Sequence, residues 1–311
     1  MDDKLRHTIP KLFANKRILV SGASGFIGYN LAKRLSQLGA YVFGTSRIPR
    51  ESAHERISWL QCSFSDFDAT TRILQEIKPQ IIFHLSGEVT ASGDIKHVLP
   101  TFHSLVTSTV NILTAATKLD LERIILTGSC TEPNELELPS ASPYAAAKCA
   151  TRTYGKMFWQ CYQTPVLIVR PFVGYGPGQS FGKLIPQVIS SFFKKEAPLL
   201  TSGKWLSDWI YIDDIVEGMI ASALVPNIEG STIDLGTGVL TSVKDVVLHI
   251  KEITGSPVMP KFGALPDRAN EFVRLADVNE THTMLNWSAK TPLREGLAKT
   301  AAAYSKAYSL K

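Results

Sequence analysis

Short apolar runs alternate with amphipathic helical segments along the first half of the chain, and no other feature constrains the fold as strongly. The runs lie at 17–21, 41–45, 81–85, 124–127 and 166–170. They are continuously apolar, which is typical of strands buried on both faces. Each strand–helix unit takes about 30 residues, as in a βαβ crossover. The pattern predicts an α/β fold, a doubly wound parallel sheet with helices on both faces.

This alternation breaks down after Pro171, where glycine, proline and short apolar pieces take over. We therefore expect a sheet domain and a smaller, discontinuous C-terminal lobe. The sheet domain is predicted over 12–172 and 207–236, and the lobe over 173–206 and 237–311. Because α/β folds bind ligands at the carboxyl ends of their strands, the lobe should cover that edge and hold the substrate.

A glycine-rich turn, Gly22-Ala-Ser-Gly25-Phe-Ile-Gly28, lies between the first strand and the first helix. Gly22 permits the tight turn, Gly25 lets a phosphate approach the backbone, and Gly28 lets the helix pack on the strand. The helix N-terminus offers unpaired N–H groups to an anion. A turn that needs glycine only for its φ angles is the alternative. The flanking strand and helix favour a Rossmann-type dinucleotide site.

The end of the second strand bears on which dinucleotide is bound. An acidic residue there would bind the adenosine ribose and favour NAD. This chain has Ser46 in that place, followed by Arg47, and no carboxylate before Glu51. The Arg47 guanidinium suits a 2′-phosphate, although a solvated loop cation or a cation stacked on the adenine is the alternative. We therefore expect NADP(H) to be preferred, with NAD(H) as the alternative.

Tyr144 and Lys148 stand four residues apart on a predicted helix that begins at Pro143, so they share one face. A neighbouring ammonium favours phenolate and is expected to lower the pKa of the tyrosine, as proton transfer requires. Ser129, at the end of the preceding strand, is placed to hold a substrate oxygen. A surface Tyr–Lys pair is the alternative, but the dinucleotide turn upstream favours an active site.

Composition excludes several classes of protein. Lys and Arg total 33 against 28 for Asp and Glu, and these cations form no basic stripe of the kind that binds nucleic acid. No apolar run approaches the roughly 20 residues that span a bilayer. The four cysteines form no CxxC, and the seven histidines show no metal-ligand spacing. We expect a reduced, cytoplasmic protein without metal, membrane or nucleic-acid partners.

The chain resembles the extended short-chain dehydrogenase/reductases, the epimerase/dehydratase group that acts on nucleotide-sugars. The resemblance extends from about Lys16 to Tyr304. The motifs that carry it are the glycine turn, Ser129 before Tyr144-Ala-Ala-Ala-Lys148, Arg170-Pro-Phe-Val-Gly-Tyr-Gly-Pro-Gly178, Ser207-Asp-Trp-Ile-Tyr-Ile-Asp-Asp214, and Asn286-Trp287 before Pro292-Leu-Arg-Glu-Gly-Leu297. Together they are specific for the superfamily and weak for the substrate.

This resemblance implies a role for each matching residue. Tyr144 would be the general acid/base, Ser129 would polarise the sugar oxygen, and Lys148 would hold the nicotinamide ribose. The implied cofactor contacts are Gly22, Ser24, Gly25, Phe26, Ile27, Gly28, Ser46, Arg47, Ser63, Phe64, Leu85, Ser86, Gly87, Tyr144, Lys148 and Pro171. The implied substrate contacts are Glu88, Thr131, Val173, Arg268 and Arg274. For the two arginines, solvated surface cations are an equal alternative.

Several positions depart from the family pattern. Val173 replaces an asparagine that would bind the sugar nucleotide, Leu105 replaces another in the long helix, and Ser207 replaces an arginine. Dehydratases of this type usually carry an acidic residue two places after the serine, where this chain has Thr131, and Glu132 is one step further on. The departures disfavour dehydration and leave the base and the sugar open.

The leading hypothesis is therefore NADPH-dependent reduction of a nucleotide-linked 4-keto-6-deoxyhexose, with hydride delivered to sugar C4 and a proton from Tyr144. A 4-epimerase with tightly bound NAD is the alternative, and a 4,6-dehydratase or a non-catalytic cofactor-binding sensor is weaker. By resemblance, the helix around 101–118 and the Tyr144 helix predict a homodimer. His84, Trp205 and Trp209 are expected to be structural.

Overall fold

The computed structural model describes residues 11–51, 54–90, 92–133, 139–267 and 272–309. The sheet domain runs through β1 (Arg17–Ser21), α1 (Phe26–Gln37), β2 (Tyr41–Ser46), β3 (Ile57–Gln61), α2 (Phe67–Ile77), β4 (Ile81–His84), α3 (Val98–Thr101), a π-helical turn (Phe102–Thr107), α4 (Ser108–Ala116), β5 (Arg123–Thr127), α5 (Pro143–Tyr162) and β6 (Val166–Pro171). The remainder comprises β7 (Val173–Tyr175), α6 (Leu184–Phe193), β8 (Leu206–Tyr211), α7 (Ile212–Leu224), β9 (Thr232–Leu235), β10 (Leu240–Ser242), α8 (Val243–Thr254), α9 (Val278–Leu285) and α10 (Leu293–Ser309).

The large sheet has seven strands in the order β3-β2-β1-β4-β5-β6-β9, and every neighbouring pair is parallel. Its central strands are apolar on both faces because helices cover both sides; Ile18, Leu19 and Val20 are all fully buried. The predicted doubly wound parallel sheet is confirmed. The strand order reverses between β1 and β4, and a cleft opens at such a switch point.

A second sheet of three strands, in the order β10-β8-β7, covers the carboxyl edge of the first. β7 runs parallel to β8, and β10 runs antiparallel to it. The predicted sheet domain included 207–211, but these residues pair with β7 and β10 rather than with the large sheet. One apolar core passes beneath both sheets, with Val20 and Ile210 in the same buried cluster.

Helix boundaries follow local chemistry. The Asp66 carboxylate accepts the N–H of Ala69 (2.9 Å) and caps α2. Ser142 caps α5 by accepting the N–H of Ala145 (3.2 Å), and Pro143 takes the first turn, as predicted. The predicted helix around 101–118 is helical as far as Ala116, but it is interrupted by the π-helical turn. Among the described residues, no helix combines the length and apolar character needed to span a membrane.

Candidate active site

A cleft of about 510 Å³ lies at the carboxyl ends of β1, β4, β5 and β6, beneath the small sheet. It runs continuously from the glycine turn, past the loop after β4, to Ser129, Tyr144 and Lys148. This volume is within the range of cofactor and ligand sites. The topological switch point and the acid–base residues therefore share one cleft.

Two glycines of the turn are required by close contacts. Gly22 has φ +68°, and a Cβ on it would lie 2.9 Å from the backbone of Leu85. A Cβ on Gly28 would lie 2.3 Å from the carbonyl oxygen of Gly22, so α1 can approach the turn only with glycine there. These contacts bring the helix N-terminus against the end of β4.

The N-terminus of α1 is open to an anion. Its N-cap is Gly25, no side chain caps it, and its first turn carries no acidic residue. The first N–H groups of a helix have no intrahelical partner, and the helix dipole favours negative charge beside them. Because Gly25 to Gly28 line the cleft, the turn fits the pyrophosphate of a dinucleotide.

The loop after β4 is tied to β1 by one serine. The Ser21 hydroxyl accepts the N–H groups of Leu85 (3.0 Å) and Ser86 (3.1 Å) and contacts His84 Nδ1 (2.7 Å). Gly87 has φ +145°, and a Cβ there would lie 2.0 Å from Leu105 Cδ2. Leu105 belongs to the π-helical turn and lines the cleft in place of the asparagine that the family resemblance implied.

His84 has the structural role that was expected. It is buried, with Nδ1 at 2.7 Å from Ser21 Oγ and Nε2 at 3.3 Å from Ser108 Oγ. Burial, together with the positive charge of Lys148, lowers its pKa to about 3. His84 is therefore a neutral bridge between β1 and α4 at neutral pH.

The acid–base residues come from β5 and α5. Ser129 follows the end of β5, and Tyr144 and Lys148 lie one turn apart near the start of α5. Lys148 Nζ donates to the carbonyl oxygen of Thr127 and lies 5.7 Å from the centre of the Tyr144 ring. All three side chains line the same part of the cleft.

The prediction that the pKa of Tyr144 is lowered is wrong for this structure. Burial raises the pKa of Tyr144, and a hydrogen bond with Ser129 opposes this only in part. Burial also lowers the pKa of Lys148 to about 8, against the charge of Glu132. Desolvation disfavours both the phenolate and the ammonium, and the spacing of the two residues along a helix gives no measure of it. At neutral pH Tyr144 therefore retains its proton.

Thr131 and Glu132, which lie in the turn after Ser129, bear on the dehydratase alternative. Thr131 Oγ1 lies 2.8 Å from Ser129 Oγ, and Thr131 lines the cleft. Glu132 is fully buried and points away from it: Oε1 accepts the N–H of Ser129 (2.7 Å), and Oε2 lies 3.3 Å from Arg152 Nε. The carboxylate nearest the serine is thus engaged in the protein interior.

Most of the predicted site residues meet in the cleft. Those that line it are Gly25, Phe26, Ile27, Gly28, Leu85, Ser86, Gly87, Ser129, Thr131, Tyr144, Lys148, Pro171, Val173 and Arg274. Gly22 and Ser24 belong to the turn beneath it, and Ser24 is exposed. Glu88 lies beside it, 3.7 Å from His97 Nδ1. Arg268 lies outside the described residues.

The residues implied for the adenosine end lie apart from the cleft wall. Ser46 is buried at the end of β2, where its hydroxyl accepts the N–H of Ile48 (3.3 Å), and Arg47 is exposed beside it. Ser63 is exposed after β3. The Phe64 side chain is buried in the apolar core, edge-on to His84, so only its backbone is left for an adenine.

Arg274 is committed to the protein rather than free in solvent. Its Nη1 donates to the carbonyl oxygen of Glu132 (2.9 Å), and Nη2 lies 3.8 Å from Asp234 Oδ2. The side chain is 11 % exposed, which removes the surface-cation alternative. Arg274 still borders the cleft, so contact with a bound anion and bracing of the serine loop are both compatible with its position.

Sequence reasoning missed part of the cleft wall at the substrate end. These residues are Gln179, Ser180, Lys183, Trp205 and Phe272, beside Ser207. They come from the β7–α6 connection, from the residue before β8 and from the segment before α9, and no short motif joins these three places. Trp209 is buried and donates to the carbonyl oxygen of Thr241 (3.0 Å), whereas Trp205 lines the cleft. Among the described residues, no cluster of three or more His, Cys, Asp or Glu side chains could hold a metal ion.

Comparison with known proteins places this geometry in context. Residues 18–236 match the sequence profile of the NAD dependent epimerase/dehydratase family. The UDP-glucose 4-epimerase of Mycolicibacterium smegmatis is 28% identical, over 91% of this chain and 97% of that protein. The UDP-glucose 4-epimerase of Thermotoga maritima, solved with UDP-glucose, has a TM-score of 0.86 at 21% identity, over 94% of this chain and 99% of that one.

A Bordetella bronchiseptica enzyme solved with NAD+ and UDP has a TM-score of 0.83 at 24% identity, over 96% of this chain and 95% of that one. At these identities the structural matches establish the fold. The matched profile covers β1 to β9 and therefore includes the glycine turn and the three acid–base residues.

Proposed function

Because the chain belongs to the NAD dependent epimerase/dehydratase family, we propose that it reduces a nucleotide-linked 4-keto-6-deoxyhexose at C4 with NADPH. The family makes it an enzyme of the extended short-chain dehydrogenase/reductase type. The observation that carries the proposal is that Tyr144, Ser129 and Lys148 lie together in the cleft that begins at the open N-terminus of α1.

The glycine turn and the loop of Leu85 to Gly87 would hold the cofactor pyrophosphate and nicotinamide half. Lys148 would contact the nicotinamide ribose. Ser46 and Arg47 support NADP: the β2 end presents an exposed guanidinium and no carboxylate before Glu51. When bound, the reduced nicotinamide supplies the hydride.

The chain's own residues supply the proton and the oxygen contacts. Ser129 would donate a hydrogen bond to the C4 oxygen, and Tyr144 would protonate that oxygen as C4 becomes tetrahedral. A phenol whose pKa is raised by burial retains its proton at neutral pH and is therefore suited to be the donor. Lys148, at 5.7 Å from the ring centre, would stabilise the phenolate left behind.

Two positions disfavour dehydration. Thr131 replaces the acid that would remove the C5 proton, and the Glu132 carboxylate is engaged by Ser129 N and Arg152. Val173, Leu105 and Ser207 line the cleft where the family pattern implied two asparagines and an arginine, and they leave the base and the sugar of the substrate open. Glu88, Thr131, Arg268 and Arg274 remain proposed substrate contacts.

The test is NADPH oxidation, followed by absorbance, with GDP-, CDP- and dTDP-linked 4-keto-6-deoxyhexoses. We expect turnover with at least one of them, and Tyr144→Phe should reduce kcat by about 10²–10⁴-fold with little change in NADPH affinity. Tyr162→Phe, which removes an exposed tyrosine hydroxyl at the other end of the same helix, is the matched control. No oxidation with any of these sugars would refute the proposed reaction.

A second candidate is a nucleotide-sugar 4-epimerase with tightly bound NAD. The similarity to the Mycolicibacterium smegmatis UDP-glucose 4-epimerase favours it. The two candidates separate when purified protein is denatured and the released dinucleotide is identified. Stoichiometric NAD together with interconversion of UDP-glucose and UDP-galactose would favour the epimerase. Protein that is purified without a dinucleotide and oxidises NADPH favours the reductase.

Cofactor preference can be reversed at one position if the assignment of Ser46 is correct. Ser46→Asp would place a carboxylate where a ribose 2′-hydroxyl binds and repel a 2′-phosphate. We expect the ratio of Kd values, NADP(H) over NAD(H), to rise at least tenfold by fluorescence titration. Ser58→Asp, on the neighbouring strand, controls for added charge. An unchanged ratio would contradict the NADP assignment.

We also propose a homodimer through the helical run 98–116 and α5. Val98, Leu99 and Phe102 are exposed apolar residues along this run, and Tyr154 on α5 is 40% exposed. An unpartnered apolar surface of this kind is typical of a subunit interface. Light scattering that gives the monomer mass at micromolar concentration would refute this proposal.

A further inference from the structure

Glu132 is a buried carboxylate that the proposed reaction does not use. Its side chain is fully buried, and Oε1 accepts the backbone N–H of Ser129 at 2.7 Å, within the range of a charge-assisted hydrogen bond. Oε2 lies 3.3 Å from Arg152 Nε and accepts no hydrogen bond from any described residue. Burial of a carboxylate carries a large desolvation cost, which its hydrogen bond with Ser129 and its ion pair with Arg152 must offset.

The turn that carries Ser129 is built around this side chain. The Glu132 N–H donates to the carbonyl oxygen of Ser129 (3.2 Å), and the Thr131 N–H donates to Ser129 Oγ (3.2 Å). A Cβ on Gly128 would lie 2.6 Å from Glu132 Oε1, so glycine there makes room for the carboxylate. The backbone and hydroxyl of Ser129 are therefore located by Glu132 and Thr131 together.

We propose that Glu132 is a positioning residue of the acid–base site, fixing Ser129 against Tyr144 and supplying a buried negative charge beside Tyr144 and Lys148. The inference rests on the proposed function for the roles of those residues. It adds a fourth side chain that touches neither sugar nor cofactor and acts through the other three.

The charge of Glu132 influences both proton-transfer groups in the same direction. It raises the pKa of Tyr144, in addition to the effect of burial. It also raises the pKa of Lys148, against the larger lowering by burial that leaves it at about 8. Removing the charge should therefore move both titrations toward lower pH.

Other charged and titratable groups face the same region of the protein. Cys149 and Arg152 come from α5, Arg170 from β6, Asp234 from β9, Arg274 from the segment before α9, and Cys130 from the serine turn. His84 lies on the β4 side of Lys148 and is neutral at neutral pH. Asp234 pairs with Arg170 at 2.7 Å and does not contact Ser129, which makes it a matched buried carboxylate for comparison.

The first readout does not depend on the substrate. Protein labelled with [ε-¹³C]lysine is titrated by NMR, with the Lys148 signal assigned from its loss in Lys148→Met. In Glu132→Gln, the Lys148 midpoint is expected to fall by roughly one pH unit. In Asp234→Asn, which also removes a buried, Arg-paired carboxylate, it should remain near the wild-type value. A wild-type midpoint in Glu132→Gln overturns the electrostatic part of the proposal.

A second variant separates position from charge and guards against unfolding of the first. Glu132→Asp keeps the charge but withdraws the carboxylate from the N–H of Ser129. We expect the Lys148 midpoint to stay close to the wild-type value, while kcat for NADPH oxidation falls at least tenfold with an unchanged KM for NADPH. An unchanged kcat overturns the positioning part.

The two hypotheses fail in different ways. Shifted Lys148 titration in Glu132→Gln without turnover of any 4-keto sugar would refute the reductase but support the electrostatic role of Glu132. Turnover by the wild type, with Lys148 titration and kcat both unaffected by the Glu132 variants, would refute the role of Glu132 and leave the reductase in place.

Discussion

His84 is expected to make the protein sensitive to acid, and the size of the effect follows from its burial. The pKa of its imidazole is about 3 in the folded chain, against 6.5 for a solvent-exposed histidine. Between these values the unfolded chain binds more protons than the folded one, so stability falls as the pH falls through this window. Above about pH 6.5 the imidazole is mostly neutral in both the folded and the unfolded chain, so the loss of stability is absent there.

The magnitude can be worked out for a drop from pH 7.5 to pH 5. At pH 5 the unfolded imidazole is almost fully protonated, while the folded one remains neutral. The difference of about 1.5 units between pH 5 and the pKa of the unfolded imidazole corresponds to about 2 kcal/mol of lost stability, at about 1.36 kcal/mol per unit. At pH 7.5 the corresponding loss is close to zero.

The assay compares urea unfolding of the wild type and His84→Asn at both pH values. Asparagine can still accept the Ser21 hydroxyl through Oδ1, but it cannot take up a proton. The variant is expected to be less stable than the wild type at pH 7.5, because it loses the bond to Ser108 and the contact with Phe64. That deficit should shrink by about 2 kcal/mol at pH 5.

Replacement of an exposed histidine provides the background. His103→Asn removes an exposed imidazole from the π-helical turn without touching the Ser21–His84–Ser108 bridge. The difference in unfolding free energy between His84→Asn and the wild type should depend on pH. The same difference is measured for His103→Asn at both pH values, as the control for replacing a histidine with asparagine. A deficit for His84→Asn that is the same at pH 7.5 and pH 5 would refute the reasoning.

Three further predictions concern residues whose contacts are equally specific. Gly28→Ala, with its Cβ at 2.3 Å from the Gly22 carbonyl oxygen, should lower the unfolding free energy by about 1–3 kcal/mol and weaken NADPH binding in a fluorescence titration, whereas Gly182→Ala, where a Cβ meets nothing within 4 Å, should do neither. Asp208→Ala removes a fully buried carboxylate that accepts the N–H groups of Thr237 and Gly238 (both 2.8 Å) and the hydroxyl of Thr237 (2.6 Å). Chemical denaturation should show a loss in unfolding free energy of about 3 kcal/mol or more, because three buried donors lose their acceptor. A loss below about 1 kcal/mol would contradict this role of Asp208. Asp66→Ala removes the cap of α2 and should cost about 1 kcal/mol in thermal or urea unfolding, while Asp66→Asn, which can still cap, should recover most of it.

Much of the architecture was readable from local pattern. The helix that carries Tyr144 and Lys148 begins at Pro143, as predicted. The glycine turn also needs glycine at Gly22 and Gly28 for the reasons inferred from its spacing. These features depend on residues within a few positions of each other, so a single sequence contains the information. The site residues on strand ends followed because parallel strands bring their carboxyl ends to one edge.

Other features required the tertiary structure. Phe64 follows β3 as expected, but its side chain enters the core, a choice set by Leu74 and Ile82 from other elements. Strand β8 has a strand-like sequence, but the sequence did not show which sheet it joins. Its partners in the small sheet, β7 and β10, are distant in the chain, so only the tertiary structure identifies them. Trp205 and Phe272 reach the cleft from segments that no short motif connects.

The protonation of the active site shows the division most clearly. The residues of the acid–base cluster and their spacing on one helix face were determined by the sequence alone, since an α-helix repeats every 3.6 residues. Whether Tyr144 holds or loses its proton was decided by burial and by the charge of Glu132, which the fold brings to it. Spacing along a chain specifies which groups are neighbours, but desolvation depends on everything that packs around them.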